Sequence, residues 1–265
     1  MVDAKSHKFT QYLIIRGYIC DMNSISSKDI KFIKSLATKK FRDETGLFVV
    51  EGEKMVREAE KSRFEVVDVY RRDEIGEEAM SRISQFSSPS PVLAVVRKPS
   101  EIENGGFKVE PGLFLALDAI RDPGNLGTII RIADWFGIKS VYASRDTVEL
   151  FNPKVVQSTM GAIFRVDFHY VDLLEYASSV LSSGGKVYGT FLDGLNIYSR
   201  GLSTGEDSPS VIVIGNEANG ISEALGALVS DRLFIPPYPA DEPGSESLNA
   251  AVATAVTVAE FRRRS

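Results

Sequence analysis

Apolar positions along this chain fall into short runs that alternate with stretches of helical period. Val211–Ile214 and Leu233–Ile235 are apolar throughout, and each stops at a polar turn carrying Gly or Pro. Strands buried in a parallel sheet read this way when their ends hold a ligand. After the second turn, Ser247-Leu248-Asn249 leads into a helix of Ala, Val and Thr with almost no charge before Glu260. A helix that is small and apolar all round is buried on more than one side. The rest of the chain therefore has to enclose its own end.

Before residue 25 no helical or strand period is legible. Residues 1–24 read as an N-terminal extension, of which 1–21 are expected to be dispensable. From Ser27, Ile30, Ile33 and Leu36 recur at helical spacing, with Ser27 as a candidate cap. Strands are expected at Leu47–Val50, Phe64–Tyr70 and Val92–Val96, and helices at Glu53–Lys61 and Glu74–Phe86. This alternation predicts a small α/β unit over 25–98. Pro99, Gly105, Gly106 and Pro111 then mark a linker over 99–111.

A second unit, 112–265, opens on the apolar strand Leu113–Asp118. Asp122-Pro123 pairs a capping residue with proline at the first helical position, and Gly137 ends that helix. Further strands are expected at Ser140–Ala143, Arg165–Phe168, Lys186–Phe191, Val211–Ile214 and Leu233–Ile235. Interleaved helices are expected near Pro153–Met160, Leu173–Leu181, Ser222–Val229 and Ser247–Arg264. The fold class is thus α/β, a mostly parallel sheet covered on both faces, with ligands beyond the carboxyl ends of its strands.

Composition narrows the chemistry. With 43% hydrophobic and 25% charged residues, the 265-residue chain can bury an ordinary core, and no run is long enough to span a membrane. A cytoplasmic protein is expected. The single cysteine, Cys20, excludes an internal disulfide. With only His7 and His169 as histidines, neither a zinc centre nor a histidine-based triad is supported, and no metal is expected. His169 reads as structural. Net charge is −5, yet Lys28, Lys31, Lys34, Lys39, Lys40 and Arg42 crowd one short segment against Asp29. Such a run is either a solvated helix face or a polyanion contact.

Three polar constellations remain. Asn125-x-Gly127-x-x-x-Arg131 stands at the first strand–helix junction of the second unit. Six residues are about 240° beyond a full helical turn, so Asn125 must lie in the turn if it and Arg131 serve one site. The dinucleotide and phosphate-loop glycine patterns are both absent. The second constellation is Gly215-Asn216-Glu217-Ala218-Asn219-Gly220, and the third is Ile235-Pro236 with Ser247-Leu248-Asn249.

In this order and spacing the three resemble the signature motifs of the SpoU/TrmH family of RNA ribose methyltransferases, in the SPOUT superfamily. The resemblance covers roughly 113–262. The unit before it, with Phe48-Val-Val-Glu-Gly-Glu-Lys-Met-Val56, resembles the ribosomal-protein-like substrate-binding domain of many members. The third motif departs from the pattern, with Pro237 after Ile-Pro and a longer loop over 238–246.

The resemblance implies a deep trefoil knot that buries the terminal helix, a homodimer through the knot domain, and S-adenosylmethionine as cofactor. It implies cofactor contacts at Gly215, Ile235 and Leu248, with Gly189 and Thr190 at a neighbouring strand end. It also implies 2′-O-methylation of ribose in RNA, ribosomal RNA ahead of transfer RNA as substrate, with no role for DNA, which lacks the 2′-hydroxyl. Asn125, Arg131, Glu217, Ser247 and Asn249 would be the catalytic set, Glu217 orienting Arg131 through a charge-assisted pair. Lys28, Lys31, Lys39, Lys40 and Arg42 would contact RNA phosphate. Two alternatives stay open: a catalytically silent RNA-binding dimer, and a base-methylating enzyme of the same superfamily.

Overall fold

A computed structural model describes residues 25–100, 102, 106–199, 201–202, 207–239 and 247–263. The expected extension before residue 25 lies outside them, as does most of the 238–246 loop. The N-terminal unit runs α1 (Ser27–Ser35), α2 (Lys39–Thr45), β1 (Leu47–Glu51), α3 (Glu53–Glu60), β2 (Val66–Arg71), α4 (Arg72–Ile75), α5 (Glu77–Ile83) and β3 (Val92–Arg97). Its strands form an antiparallel sheet in the order β1-β3-β2. Ser26, one residue before the expected cap, accepts a hydrogen bond from the Asp29 N–H and starts α1. The single helix expected over 74–86 is two short ones, because Gly76 takes a positive φ between them.

The larger unit continues with β4 (Gly112–Leu117), α6 (Pro123–Trp135), β5 (Ser140–Ala143), α7 (Pro153–Ser158), β6 (Asp167–Tyr170), α8 (Leu173–Ser182), β7 (Lys186–Asn196), β8 (Pro209–Ile214), α9 (Glu223–Gly226), β9 (Asp231–Phe234) and α10 (Ala250–Arg263). Its six strands pair in parallel, in the order β6-β5-β4-β8-β7-β9. The strand expected at Arg165–Phe168 begins two residues later, since Ala162–Phe164 form a 3₁₀ turn. The last helix begins at Ala250 and leaves Ser247-Leu248-Asn249 outside it.

Register decides what meets at the carboxyl edge. Leu117 of β4 lies opposite both Ala143 of β5 and Ile214 of β8. The next residues, Asp118, Ser144 and Gly215, therefore emerge at one level. Thr190 of β7 follows Gly189, which pairs with Val213, so it arrives there too. Beyond it β7 makes a four-residue excursion and returns, both Thr190 and Leu195 pairing with Leu233.

One face of this sheet is covered by α6, α7 and α10, the other by α8 and α9. Within α10, Val258 and Phe261 are fully buried, and Phe261 meets Tyr188 edge-on at 4.8 Å. The first apolar cluster runs on without interruption into the N-terminal unit. Phe48 packs on Phe151 at 4.5 Å and Phe64 on Phe164 at 5.1 Å. Arg42–Glu149, Arg63–Asp167 and Arg165–Glu58 are ion pairs across the same junction. No described helix is long and apolar enough to cross a membrane. Any threading of the chain between β9 and α10 passes through 240–246, outside the described residues.

Candidate active site at the carboxyl edge of the sheet

Asn125 is the buried centre of the site. Asp122 caps α6 by accepting the Asn125 N–H at 2.8 Å, which places Asn125 in the first helical turn and not in the loop before it. Its side-chain amide donates to Glu217 Oε1 at 2.8 Å, and its carbonyl accepts from Asn249 Nδ2 at 2.8 Å. Asn249 Oδ1 in turn accepts from the Ala251 and Val252 N–H groups, capping α10. One directed chain of hydrogen bonds thus joins residues from all three constellations, and each amide orientation is dictated by its neighbours. Glu217 is exposed and retains one carboxylate oxygen outside this chain.

Arg131 does not join it. On α6 it is exposed, six residues beyond the buried Asn125 and on another side of the helix. The expected Arg131–Glu217 pair is replaced by Asn125–Glu217, and Arg131 has no hydrogen-bond or ion-pair partner among the described residues. The physical reason is the helical angle: once Asn125 is helical, both side chains cannot face one point.

Next to the hydrogen-bonded chain opens a cavity of about 650 Å³, lined by Thr190, the Gly215–Ile221 turn, Leu233, Ile235, Ser247, Leu248 and Ala250 among others. The turn is closed by paired Asn216–Gly220 backbone bonds of 2.9 Å each, and a Cβ on Gly215 would stand 2.2 Å from the Gly220 carbonyl carbon. Asn216 Nδ2 donates to the Ala119 carbonyl at 2.7 Å and ties this turn to the end of β4. Apolar walls with exposed main-chain donors and acceptors suit an adenosyl group, and the volume is that of a small-molecule site. S-adenosylmethionine fits these residues.

Of the expected contacts, Thr190, Gly215, Ile235 and Leu248 line the cavity, and Ser247 joins them. Gly189 does not. It lies beneath the wall, where a Cβ would stand 2.6 Å from the Phe191 ring. Phe191 and Leu192, from the β7 excursion, form wall positions that the sequence reading passed over, since that segment reads as an ordinary strand end. Arg232 lies 3.5 Å from the Phe191 ring centroid and donates to Asp193 at 2.5 Å, bracing the excursion.

In the N-terminal unit, Lys28, Lys31, Lys39 and Lys40 are exposed. Arg42 is not: it is 2% exposed, paired with both oxygens of Glu149 and bonded to the Leu36 carbonyl at 2.8 Å. Its expected phosphate contact is corrected to a link between the two units, because a guanidinium buried against Glu149 and the Leu36 carbonyl is out of reach of RNA. His169 stacks on Tyr142 at 5.4 Å, and burial pushes its imidazole below the usual histidine range. It stands apart from the cavity, and no cluster suited to a metal ion occurs among the described residues.

Comparison with known proteins agrees with this geometry. The model of the SpoU rRNA methylase family matches residues 112–259, and that of the MRM3-like substrate-binding domain matches 27–98. The chain is 32% identical over 256 residues to the 23S rRNA (guanosine(2553)-2′-O)-methyltransferase RlmP of Bacillus subtilis, covering 91% of this chain and 98% of that protein. Among solved structures, a TrmH-family protein of Porphyromonas gingivalis superposes with a TM-score of 0.79 at 37% identity, covering 91% of this chain and 99% of that one. The S-adenosylmethionine-bound rRNA methyltransferase of Sinorhizobium meliloti gives 0.79 at 28% identity, covering 91% and 96%.

Proposed function

The chain belongs to the SpoU rRNA methylase family and is an S-adenosylmethionine-dependent RNA 2′-O-ribose methyltransferase, and we propose that it acts on ribosomal RNA, in the cytoplasm, as a homodimer. The observation that carries the reading is the Asn249–Asn125–Glu217 chain at the lip of a cavity fit for the cofactor. Bound S-adenosylmethionine supplies an electrophilic methyl group on its sulfonium.

The protein's own residues do the rest. The Gly215–Ile221 turn, Ile235 and Leu248 hold the adenosyl group. Asn125 and Asn249 hold Glu217 in one orientation, so its remaining oxygen is preorganised toward the incoming ribose or its arginine partner. Ser247, on the rim, contacts the ribose. Lys28, Lys31, Lys39 and Lys40 bind phosphate from the N-terminal unit.

Arg131 enters from the second copy. Thr128, Arg131 and Trp135 form one exposed stripe of α6, Trp135 being 85% exposed, and Val252 is exposed on the adjoining α10. An isologous contact over this stripe covers the tryptophan and carries each Arg131 toward the other copy's Glu217. There a guanidinium stabilises the developing alkoxide or holds the neighbouring phosphate.

Labelled S-adenosylmethionine and total RNA from a strain lacking the gene test the reaction. Label is expected in a 2′-O-methylnucleoside of ribosomal RNA. Label in a methylated base refutes ribose transfer, and cofactor binding with no transfer to any RNA favours a silent RNA-binding dimer. Mixing Arg131→Ala and Glu217→Ala proteins, each inactive alone, should restore activity through heterodimers; no recovery refutes the shared site.

A further inference from the structure

The cations expected to bind RNA all lie in the N-terminal unit, at a distance along the chain from the reacting groups. The carboxyl edge of the main sheet carries a second set. Arg121 precedes α6, Arg145 stands two residues past β5, and Lys154 is the second residue of α7. All three are exposed, with Arg121 and Lys154 side chains 71% and 66% accessible. Arg145 also lines a second cavity of about 290 Å³ at the ends of β4, β5 and β6.

Acidic residues stand on the same edge, and their bonding decides the balance. Asp122 accepts the Asn125 N–H, Asp172 accepts the Leu174 and Glu175 N–H groups, and Asp118 accepts the Ser222 N–H at 2.7 Å. Asp146 accepts the Ser144 hydroxyl at 2.6 Å. Each of these carboxylates keeps its charge but has one oxygen held by the fold's own donors. The cations approach them only loosely, at 3.9 Å for Arg121–Asp146 and 3.9 Å for Lys154–Asp122, and Arg145 makes no ion pair among the described residues. Pairs this long and this exposed contribute little to stability, so a phosphate displaces them at small cost.

The edge is continuous with the active site. Arg121 is four residues from Asn125, and the Asn216 bond to Ala119 fastens the same loop to the turn carrying Glu217. We propose that Arg121, Arg145 and Lys154 form a phosphate-binding rim on the catalytic unit itself, which grips the RNA backbone to one side of the reacting nucleotide. The inference rests on the RNA methyltransferase reading and adds to it a substrate contact surface. Division of labour follows: the N-terminal lysines capture the RNA, and the rim sets which ribose reaches Glu217.

The test uses the full chain and a fluorescein-labelled polyuridylate oligonucleotide, with affinity measured against salt. Each phosphate contact to a single strand contributes about 0.7 to the log–log salt slope, hence about fivefold in affinity at 0.1 M salt. The triple variant Arg121→Gln, Arg145→Gln, Lys154→Gln is expected to lose about 2 in slope and about 100-fold in affinity. Its cofactor affinity and thermal midpoint should match wild type, and KM for RNA should rise. Lys139→Gln with Lys186→Gln, at the amino edge of the same sheet, serves as control and should leave the slope unchanged. An active wild type whose triple variant keeps its slope, or whose control loses as much, overturns this inference alone. Wild-type protein that transfers no methyl group to RNA overturns the parent reading and the inference with it.

Discussion

Removing Glu149 should strand one of the most deeply buried charged side chains among the described residues. The Arg42 side chain is 3% exposed and rests on both oxygens of Glu149, whose own side chain is 14% exposed. In Glu149→Ala the guanidinium keeps only the Leu36 carbonyl. Two charge-assisted bonds at about 1.5–3 kcal/mol each give about 3–6 kcal/mol. Breaking a buried pair from one side costs about 3–5 kcal/mol. The two routes agree on about 3–5 kcal/mol. Arg42→Met, which keeps an apolar stem in the gap, strands instead a carboxylate that water can partly reach, and should cost about 1–3 kcal/mol. Arg42→Met with Glu149→Leu removes both charges and should recover most of the loss, since buried pairs exchanged for apolar groups of like volume are often neutral. Urea unfolding at neutral pH, read as the change in midpoint at constant slope, measures all three. A loss below about 1 kcal/mol for Glu149→Ala, the value of an exposed pair, would refute the buried-clamp account. So would a double variant no more stable than Glu149→Ala.

Three further outcomes are expected. Asn125→Ala releases Glu217 and Asn249 together, so kcat should fall about 100-fold or more while cofactor affinity holds; a rate within a few-fold of wild type would remove the hydrogen-bonded chain from catalysis. Gly215→Ala forces a Cβ into the Gly220 backbone, and calorimetry should show cofactor affinity down by at least tenfold, about 1.4 kcal/mol, with unchanged affinity counting against the turn as part of the cofactor site. His169 resists protonation when folded because burial disfavours the imidazolium, whereas the unfolded ring protonates near 6.5. More protons are then bound by the unfolded chain, so wild-type stability should fall as pH drops below that value. His169→Phe should flatten that slope in urea unfolding, and an unchanged slope would refute the assignment.

Much of the architecture was legible because strands buried on both faces and capped helices leave local traces. The apolar runs at Leu113–Leu117 and Val211–Ile214, the Asp122-Pro123 start and the Gly137 stop all act within a few residues of themselves. So does the Gly215–Gly220 turn. The errors fell where a neighbour distant in sequence decides. Gly189 reads as a cavity glycine, but Ile221 and Val229, some thirty to forty residues on, each come within 3.0 Å of where its Cβ would stand. The excursion of β7 is dictated by its pairing with β9, some forty residues on, and leaves no local period of its own.

The same distinction separates the charges. By itself the sequence singled out Asn125, Glu217 and Asn249 as candidates, because the order and spacing of three motifs resemble those of a family and need no coordinates to be read. It equally determined that 28–42 is basic. Only the tertiary structure decided that Arg42 turns inward to Glu149 while its neighbouring lysines stay in water, that Glu217 is held by Asn125 and not by Arg131, and that Arg121, Arg145 and Lys154 share one edge. The reason is geometric: charge and hydrogen-bonding capacity belong to a residue, but a partner belongs to the strand register and helix angle that bring two distant residues within 3 Å.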